Sequence, residues 1–146
     1  MLLSYRYVVE PMLMNRSMPP SPVIPELAYP DVIAAVSWLS QVFGFTLRLR
    51  IATHRAQMNA STGAIVLTGM DPAHGACVAS SVMVRVENVD DHYAQVCLAG
   101  GEPAGEPVTY PYGERQYNVK DLAGHRWTFS QTMADVDPET WGGESV

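Results

Sequence analysis

Several side chains capable of acid–base or anion chemistry lie close together in one stretch of the sequence. The stretch YGERQYNVKDLAGHRWTF, residues 112–129, contains a histidine, an aspartate, two arginines and two tyrosines. His125 follows an Asp-Leu-Ala-Gly turn, and histidine is the side chain most often used for general acid or base catalysis. The favoured interpretation is nevertheless structural, with the ring of His125 at the start of a strand, covering the turn.

The other candidate groups are scattered along the chain. Arg115 is either an anion anchor for a ligand or half of a solvated ion pair with Glu114 in the same turn. His54 lies between two predicted strands, where its ring could face a cavity, whereas His74 and His92 fit a loop and the outward side of a helix. No serine lies in a Gly-x-Ser-x-Gly sequence and neither cysteine has a recognisable histidine partner, so covalent catalysis has no support.

The composition disfavours several classes of partner. The 146 residues carry a formal charge of −6 without a cluster of lysines or arginines, which disfavours nucleic acid. No apolar run approaches the roughly 18 residues of a membrane-spanning helix, and the N-terminus lacks the pattern of a signal peptide. Cys77 and Cys97 have neither a metal-binding spacing nor enough partners for a disulfide framework. We therefore expect one cytoplasmic domain with two buried thiols.

Residues 1–21 are an N-terminal extension that is rich in proline towards its end. From Met12 to Pro30 proline fixes the backbone too often for a helix, so this stretch is a linker or a lead-in to the domain. Within the extension, Ser4 to Val9 is either an edge strand or sequence upstream of a true start at Met14 or Met18.

Residues 22–69 show the periodicity of one strand, one helix and three strands. VIPELAY is a short strand, and Asp31 is the predicted N-cap of a helix that ends at Gly44. The segments FTLRLRIA, HRAQMNAS and TGAIVLTG follow as three strands, because their side chains alternate or are apolar throughout.

Residues 80–131 repeat this order. SSVMVRVE precedes a helix from Asn88 to Gly101, and EPAGEPVTYPY, RQYNVKD and HRWTFSQ follow as strands. Both helix ends lie 57 residues after those of the first helix, which indicates an internal repeat of βαβββ modules. Residues 132–146 form a C-terminal tail, whose Trp141 should pack back on the domain or a partner.

Three segments of the repeat resemble the vicinal oxygen chelate superfamily, which includes glyoxalase I, extradiol dioxygenases and bleomycin-resistance proteins. They are PELAYPDVIAAVSWLSQVFGF, SVMVRVENVDDHYAQVCLAGGE and YGERQYNVKDLAGHRWTF. The resemblance covers residues 22–131 and implies an α+β fold, in which two tandem βαβββ modules form a curved mixed sheet around a cavity. It also implies a dimer.

Metal-using members of that superfamily place four ligands, commonly histidine, glutamine or glutamate, on the first and last strands of each module. The resemblance assigns those positions in this chain to Ile24, Leu67, Ser81 and Thr128. Aliphatic side chains and neutral hydroxyls hold a divalent cation poorly, and a two-residue slip on the first strand restores only Glu26. We therefore expect neither a catalytic metal nor a cofactor.

The alternation of side chains along each strand predicts which of them face the cavity. If Thr128 faces the cavity, Trp127 and Phe129 pack towards the helices. The predicted ligand-binding residues are Ile24, Glu26, His54, Leu67, Ser81, Met83, Tyr110, Arg115, Tyr117 and Thr128. They describe a mostly apolar pocket that suits a flat or aromatic molecule. The alternative is a cavity filled by its own side chains.

Three functions are compatible with these residues. The favoured hypothesis is a glyoxalase-like protein of the bleomycin-resistance type, a cytoplasmic homodimer that binds a small apolar or aromatic compound without a catalytic residue. The alternative is a lyase, isomerase or dioxygenase that uses unorthodox metal ligands such as Glu26 and His54, or one of them as a metal-free base. In a third, the dimer surface itself is the functional feature and no ligand binds.

Overall fold

The computed structural model describes residues 13–70 and 79–145, and the first module forms one four-stranded sheet, sheet 1. Its parts are β1 (Glu26–Tyr29), α1 (Val32–Trp38), a π-helical turn (Leu39–Phe43) that continues α1, β2 (Thr46–Ile51), β3 (Arg55–Ala60) and β4 (Gly63–Gly69). The strand order is β1-β4-β3-β2. The first strand runs parallel to β4, and the other neighbours are antiparallel.

The second module forms sheet 2 with the same topology. Its parts are β5 (Ser81–Arg85), α2 (Val89–Leu98), β6 (Val108–Thr109), β7 (Glu114–Lys120) and β8 (Arg126–Thr132). The strand order is β5-β8-β7-β6, again with one parallel pair, between β5 and β8. The α+β class with two tandem βαβββ modules, predicted from the sequence, is confirmed.

The predicted strand EPAGEPVTYPY is mostly irregular. Only Val108 and Thr109 pair with β7, and Pro103 makes one isolated bridge to Val119. Proline lacks the N–H group that a ladder needs, and this segment contains three prolines.

Both helices start at the predicted caps. The side chain of Asp31 accepts a hydrogen bond from the Ala34 N–H at 2.9 Å, and Asn88 Oδ1 accepts one from the Asp91 N–H at 3.0 Å. Each cap satisfies a backbone donor that has no partner within its helix.

The two helices end differently from the prediction. Gly44 has the expected left-handed conformation, with φ of 76°, but its counterpart is Gly100, with φ of 92°, and not Gly101. The first helix is one residue longer because its last turn is π-helical. Gly101 is required for another reason, since a Cβ there would lie 2.9 Å from Cγ1 of Val42 on the first helix.

A single hydrophobic core joins the modules. Phe43, at the end of the π-helical turn, packs edge-on against Trp127 and Phe129 of β8, with ring centroids 5.6 and 5.0 Å away. Phe45 contacts the same two rings. The core contains side chains from both sheets and both helices, so neither module is an independent unit.

The buried carboxylate of Asp121 ties the two sheets together. Its oxygens accept hydrogen bonds from the Tyr29 hydroxyl of β1 at 2.7 Å and from Nε1 of Trp127 of β8 at 3.0 Å. They also accept the backbone N–H groups of Ala123 and His125, both at 3.0 Å. This one side chain therefore fixes the corner before β8 and joins it to the first module.

His125 has a structural role, as the favoured interpretation held. The side chain is 1% exposed, and its Nδ1 accepts a hydrogen bond from the Ser80 N–H at 2.8 Å. Its Nε2 therefore carries the proton and donates to the Ala28 carbonyl at 2.7 Å. Nε2 thus holds β1 against the start of β8, and Nδ1 holds the chain just before β5 at the same place.

His92 does not lie on the outward side of α2, contrary to the prediction. Its ring packs on Phe129 with centroids 4.1 Å apart, and its Nε2 lies 3.2 Å from the Phe43 carbonyl. Because a carbonyl can only accept, Nε2 donates, and Nδ1 accepts from the Tyr117 hydroxyl. Burial lowers the pKa of His92 from its ordinary value. The side chain is a neutral link between the modules.

The remaining predictions outside the site have mixed outcomes. Trp141 packs back on the domain, with its ring 5.4 Å from that of Tyr112. Cys97 is exposed and not buried, because Val96 occupies the core position of that helical turn. The predicted strand at 4–9, together with His74 and Cys77, lies outside the described residues. None of the helices described is both long and apolar enough to cross a membrane.

Replacing Asp121 with Ala should lower the free energy of unfolding by on the order of 3 kcal/mol, because several buried donors lose their acceptor. Urea unfolding monitored by tryptophan fluorescence measures this change. The matched control is Asp135→Ala, since Asp135 is exposed and should change stability by less than about 0.5 kcal/mol. Equal effects of the two substitutions would contradict the role given to Asp121.

Because the pKa of His92 is lowered in the folded protein, we expect the stability of the protein to depend on pH. The unfolded chain binds a proton at this site at a higher pH than the folded chain, so the free energy of unfolding decreases as the pH falls below about 6.5. The decrease between pH 7.5 and pH 5 should be smaller in His92→Asn than in the unsubstituted protein, measured by urea unfolding at each pH. Identical pH profiles would show that His92 titrates normally.

Candidate functional site

Strand pairing determines which side chains share a face of each sheet. The inner face packs on the shared core, and the outer face is the opposite surface of the sheet. In sheet 1, Glu26, Val66 and Gln57 are register partners and lie side by side on the outer face. In sheet 2 the corresponding row is Met83, Thr128 and Asn118. Since both inner faces line one core, the two outer faces are turned away from each other.

Leu67 is not on the outer face, so its predicted position towards the cavity is wrong. It is 0% exposed, and its register partners Leu27 and Ala56 belong to the core. The outer-facing neighbour on β4 is Val66. The prediction failed because β4 is apolar on both faces. Its sequence does not alternate between polar and apolar residues, so it does not show which residues face the core.

Polar pairs lie along the outer face of sheet 1. The Arg55 guanidinium donates to Glu26 at 2.6 Å in an exposed ion pair, which adds little to stability. Arg48, at an irregularity in β2, donates to Oε1 of Gln57 at 2.6 Å. Glu26 is therefore on the predicted side, but its charge is already paired.

Residues 16–20, which we call the strap, cover part of this outer face. Nη2 of Arg48 donates to the Arg16 carbonyl at 2.9 Å, and Nε2 of Gln57 donates to the Ser17 carbonyl at 2.9 Å. Pro19 is buried, while Pro20 is exposed. The strap was not predicted from the sequence, which indicated only a proline-rich lead-in.

On the outer face of sheet 2 the side chains around Met83 are neutral, and charged side chains such as Arg85 and Arg126 lie towards the ends of the strands. Met83, on β5, is 60% exposed, and Ser81 on the same strand is also exposed. Beside Met83, the Thr128 hydroxyl donates to Asn118 Oδ1 at 2.6 Å. Met83, Ser81 and Thr128 therefore share one surface, as predicted.

A chain of hydrogen bonds continues along this face towards the C-terminal tail. The Tyr112 hydroxyl donates to Gln116 at 3.2 Å, Gln116 donates to Ser130 at 3.0 Å, and Ser130 donates to Glu114 at 2.9 Å. The ring of Tyr112 stacks on Tyr110, with centroids 5.3 Å apart. Tyr110 is 37% exposed and lies at the edge of this face.

Three other predicted site residues lie away from the outer faces. Tyr117 is 2% exposed in the core, because its position on β7 faces α2. Arg115 forms a two-pronged ion pair with Asp90 in the first turn of α2, and this contact lowers the pKa of Asp90. His54 is exposed on the turn between β2 and β3. Arg115 therefore pairs with Asp90 and not with Glu114.

The side chains on the outer faces do not fit a metal ion of the kind used by metal-dependent superfamily members. Among residues 13–70 and 79–145, no three His, Cys, Asp or Glu side chains come close enough to hold one. Ile24 is half-buried ahead of β1, and the predicted ligand positions on sheet 2 carry Ser81 and Thr128. Divalent metals of enzymes prefer imidazole, thiolate and carboxylate donors, and these positions supply none.

A separate hollow of about 720 Å³ lies between the end of the first helix and α2. Its walls include Gln41, Phe43, Asp91, His92 and Gln95. Both ring nitrogens of His92 already have partners, so the histidine offers no free group to a ligand there. The inward orientation of His92 could have been predicted from the sequence, because His92 follows the buried Val89 by three residues on the same helix.

Comparison with known proteins agrees with the fold and the repeat. Residues 23–129 match the family model of the Glyoxalase/Bleomycin resistance protein/Dioxygenase superfamily. The crystal structure of TioX from Micromonospora sp. ML1 is 35% identical and aligns with a TM-score of 0.69 over 77% of this chain and 98% of TioX. No curated protein sequence matches the chain.

Two more distant structures share the fold. The bleomycin resistance determinant encoded on transposon Tn5 is 15% identical, with a TM-score of 0.64 over 78% of this chain and 99% of its own. Lactoylglutathione lyase from Agrobacterium tumefaciens is 17% identical, with a TM-score of 0.64 over 86% and 99%. On the family match and the similarity to TioX, the chain belongs to the glyoxalase/bleomycin resistance protein/dioxygenase superfamily.

Proposed function

We propose that this protein is a binding protein of the bleomycin-resistance type, which holds a small apolar or aromatic compound without a catalytic metal. The observation that carries the proposal is the outer face of sheet 2. An exposed Met83 lies there beside Thr128 and Asn118, which are neutral and hydrogen-bonded to each other. Thioether and hydroxyl groups make dispersion contacts and hydrogen bonds with an organic molecule.

The protein is proposed to act as a homodimer, because one chain does not enclose a pocket between its two outer faces. Each outer face is one side of a four-stranded sheet, with no second sheet of the same chain packed over it. A second copy that places its sheet 1 over sheet 2 of the first would bury Met83 and form two equivalent hollows, as a two-fold axis requires. Cys97 is a free, exposed thiol, which is compatible with the reducing cytoplasm proposed as its location.

The enzyme alternative has less support from the positions of its two key residues. The Glu26 carboxylate is already paired, since it accepts a hydrogen bond from the Arg55 guanidinium. His54 lies on the exposed turn before β3, and the described residues contain no cluster of metal donors. A general base needs to lie within hydrogen-bonding reach of a substrate proton, and neither residue lies in an enclosed site.

A thermal-shift screen of aromatic metabolites and antibiotics, bleomycin included, tests the binding function. A compound at about 100 times its Kd should stabilise the protein by roughly 2.7 kcal/mol. Met83→Glu should abolish that stabilisation, because a carboxylate in an apolar hollow loses its hydration. The matched control is Leu98→Glu on the exposed surface of α2, which should retain it. A screen without any stabilising compound would contradict the proposal.

Metal analysis of the purified protein tests the metal-free part of the proposal. After dialysis, zinc, iron, nickel and manganese should each be far below one equivalent per chain, because no three His, Cys, Asp or Glu side chains of the described residues lie close enough together to hold a metal ion. Near-stoichiometric metal that survives dialysis, and is lost on Glu26→Gln, would favour the enzyme alternative.

A further inference from the structure

The strap and the residues that connect it to β1, together residues 16–25, cross sheet 1 from one edge to the other. The chain enters β1, at one edge, at Glu26, whereas the strap carbonyls are bound by Gln57 on β3 and by Arg48 on β2, the opposite edge. Residues between these points must therefore pass over β4. Among the outward-facing residues of β4, Ala64 and Val66 are 6% and 4% exposed and Thr68 is half-buried.

Side chains of sheet 1 hold the strap through its backbone carbonyl groups. Two side-chain donors, from Arg48 and Gln57, bind the carbonyl oxygens of neighbouring residues, and Pro19, two residues further along the strap, is buried. Gln57 itself is 5% exposed. Uncovering this face would leave its donors to water or to a ligand that offers acceptor oxygens of its own.

The two outer faces consequently differ in what covers them. On sheet 1, Val66 and Gln57 are 4% and 5% exposed, whereas their register equivalents on sheet 2, Thr128 and Asn118, are half-buried. A dimer that brings sheet 1 over sheet 2 would place the strap inside the hollow, in the volume that a ligand needs.

We propose that residues 16–20 are a built-in competitor that must leave the outer face of sheet 1 before a ligand can bind there with full affinity. This inference rests on the proposed binding function and goes beyond it by assigning the strap a regulatory role. The apparent affinity is lowered in proportion to the fraction of molecules whose strap is bound. The compound that replaces the strap carries acceptor oxygens for Arg48 and Gln57.

Two adjacent prolines supply a matched pair of variants. Pro19→Glu places a carboxylate at a buried position and should release the strap, because burying an unpaired charge is unfavourable. Pro20→Glu adds the same charge at the neighbouring exposed position and should leave the strap bound. Both positions precede β1, so the two sheets should fold in either variant.

Trypsin reports the position of the strap directly, because its carbonyl contact at Arg16 lies at the bond that trypsin would cleave. Mass spectrometry should show cleavage after Arg16 on the order of tenfold faster in Pro19→Glu than in the unsubstituted protein, since cleavage follows the open population. Pro20→Glu should resemble the unsubstituted protein. Equal cleavage in all three would overturn the proposal, because the strap would not be held.

Ligand affinity is then measured by fluorescence with 8-anilinonaphthalene-1-sulfonate and by calorimetry with bleomycin, counting only binding that Met83→Glu abolishes. The Kd should fall several-fold in Pro19→Glu and stay unchanged in Pro20→Glu. A released strap with an unchanged Kd would overturn the competition and leave the binding function intact. Absence of binding to every variant would overturn the binding function, and the competition with it.

Discussion

The acceptor capacity of one buried carboxylate sets the arrangement of the whole molecule. Asp121 takes hydrogen bonds from a side chain of each module, Tyr29 and Trp127, and from two backbone groups of its own corner. A carboxylate with four donors is stable where an unpaired one would not be. Because the corner and β1 are held together there, the inner faces meet in one core. The outer faces are then necessarily turned away from it.

Local signals in the sequence were sufficient for the modules and for one of the two outer faces. The caps at Asp31 and Asn88 were predicted because capping depends on residues within one helical turn. The side of β5 that carries Met83 was predicted because that strand alternates cleanly. On β4 the run AIVL is apolar on both faces of the strand. The sequence therefore did not show which of these residues face the core, and Leu67 was assigned to the wrong face.

Contacts between distant segments could not be predicted from periodicity. Arg115 pairs with Asp90, 25 residues away, and the sequence offered the nearer Glu114 as an equally good partner. The strap is bound by residues more than 30 positions along the chain. The contacting atoms of the strap are backbone carbonyl oxygens, which every residue has. The side chains of the strap therefore gave no indication of the contact. Such pairings are set by the topology of the sheet and become visible only when the strands are placed.

The π-helical turn shows how the helices of two similar modules can differ in length by one residue. An extra residue inside a regular helix turns everything after it by about 100°, which would carry core side chains to the surface. Here the additional residue is absorbed within one widened turn, Leu39–Phe43, and Gly44 still ends the helix in the left-handed conformation. The change in length is thereby confined, and the strands beyond it keep their phase. An ancestral duplication followed by such an insertion would leave this local asymmetry as its trace.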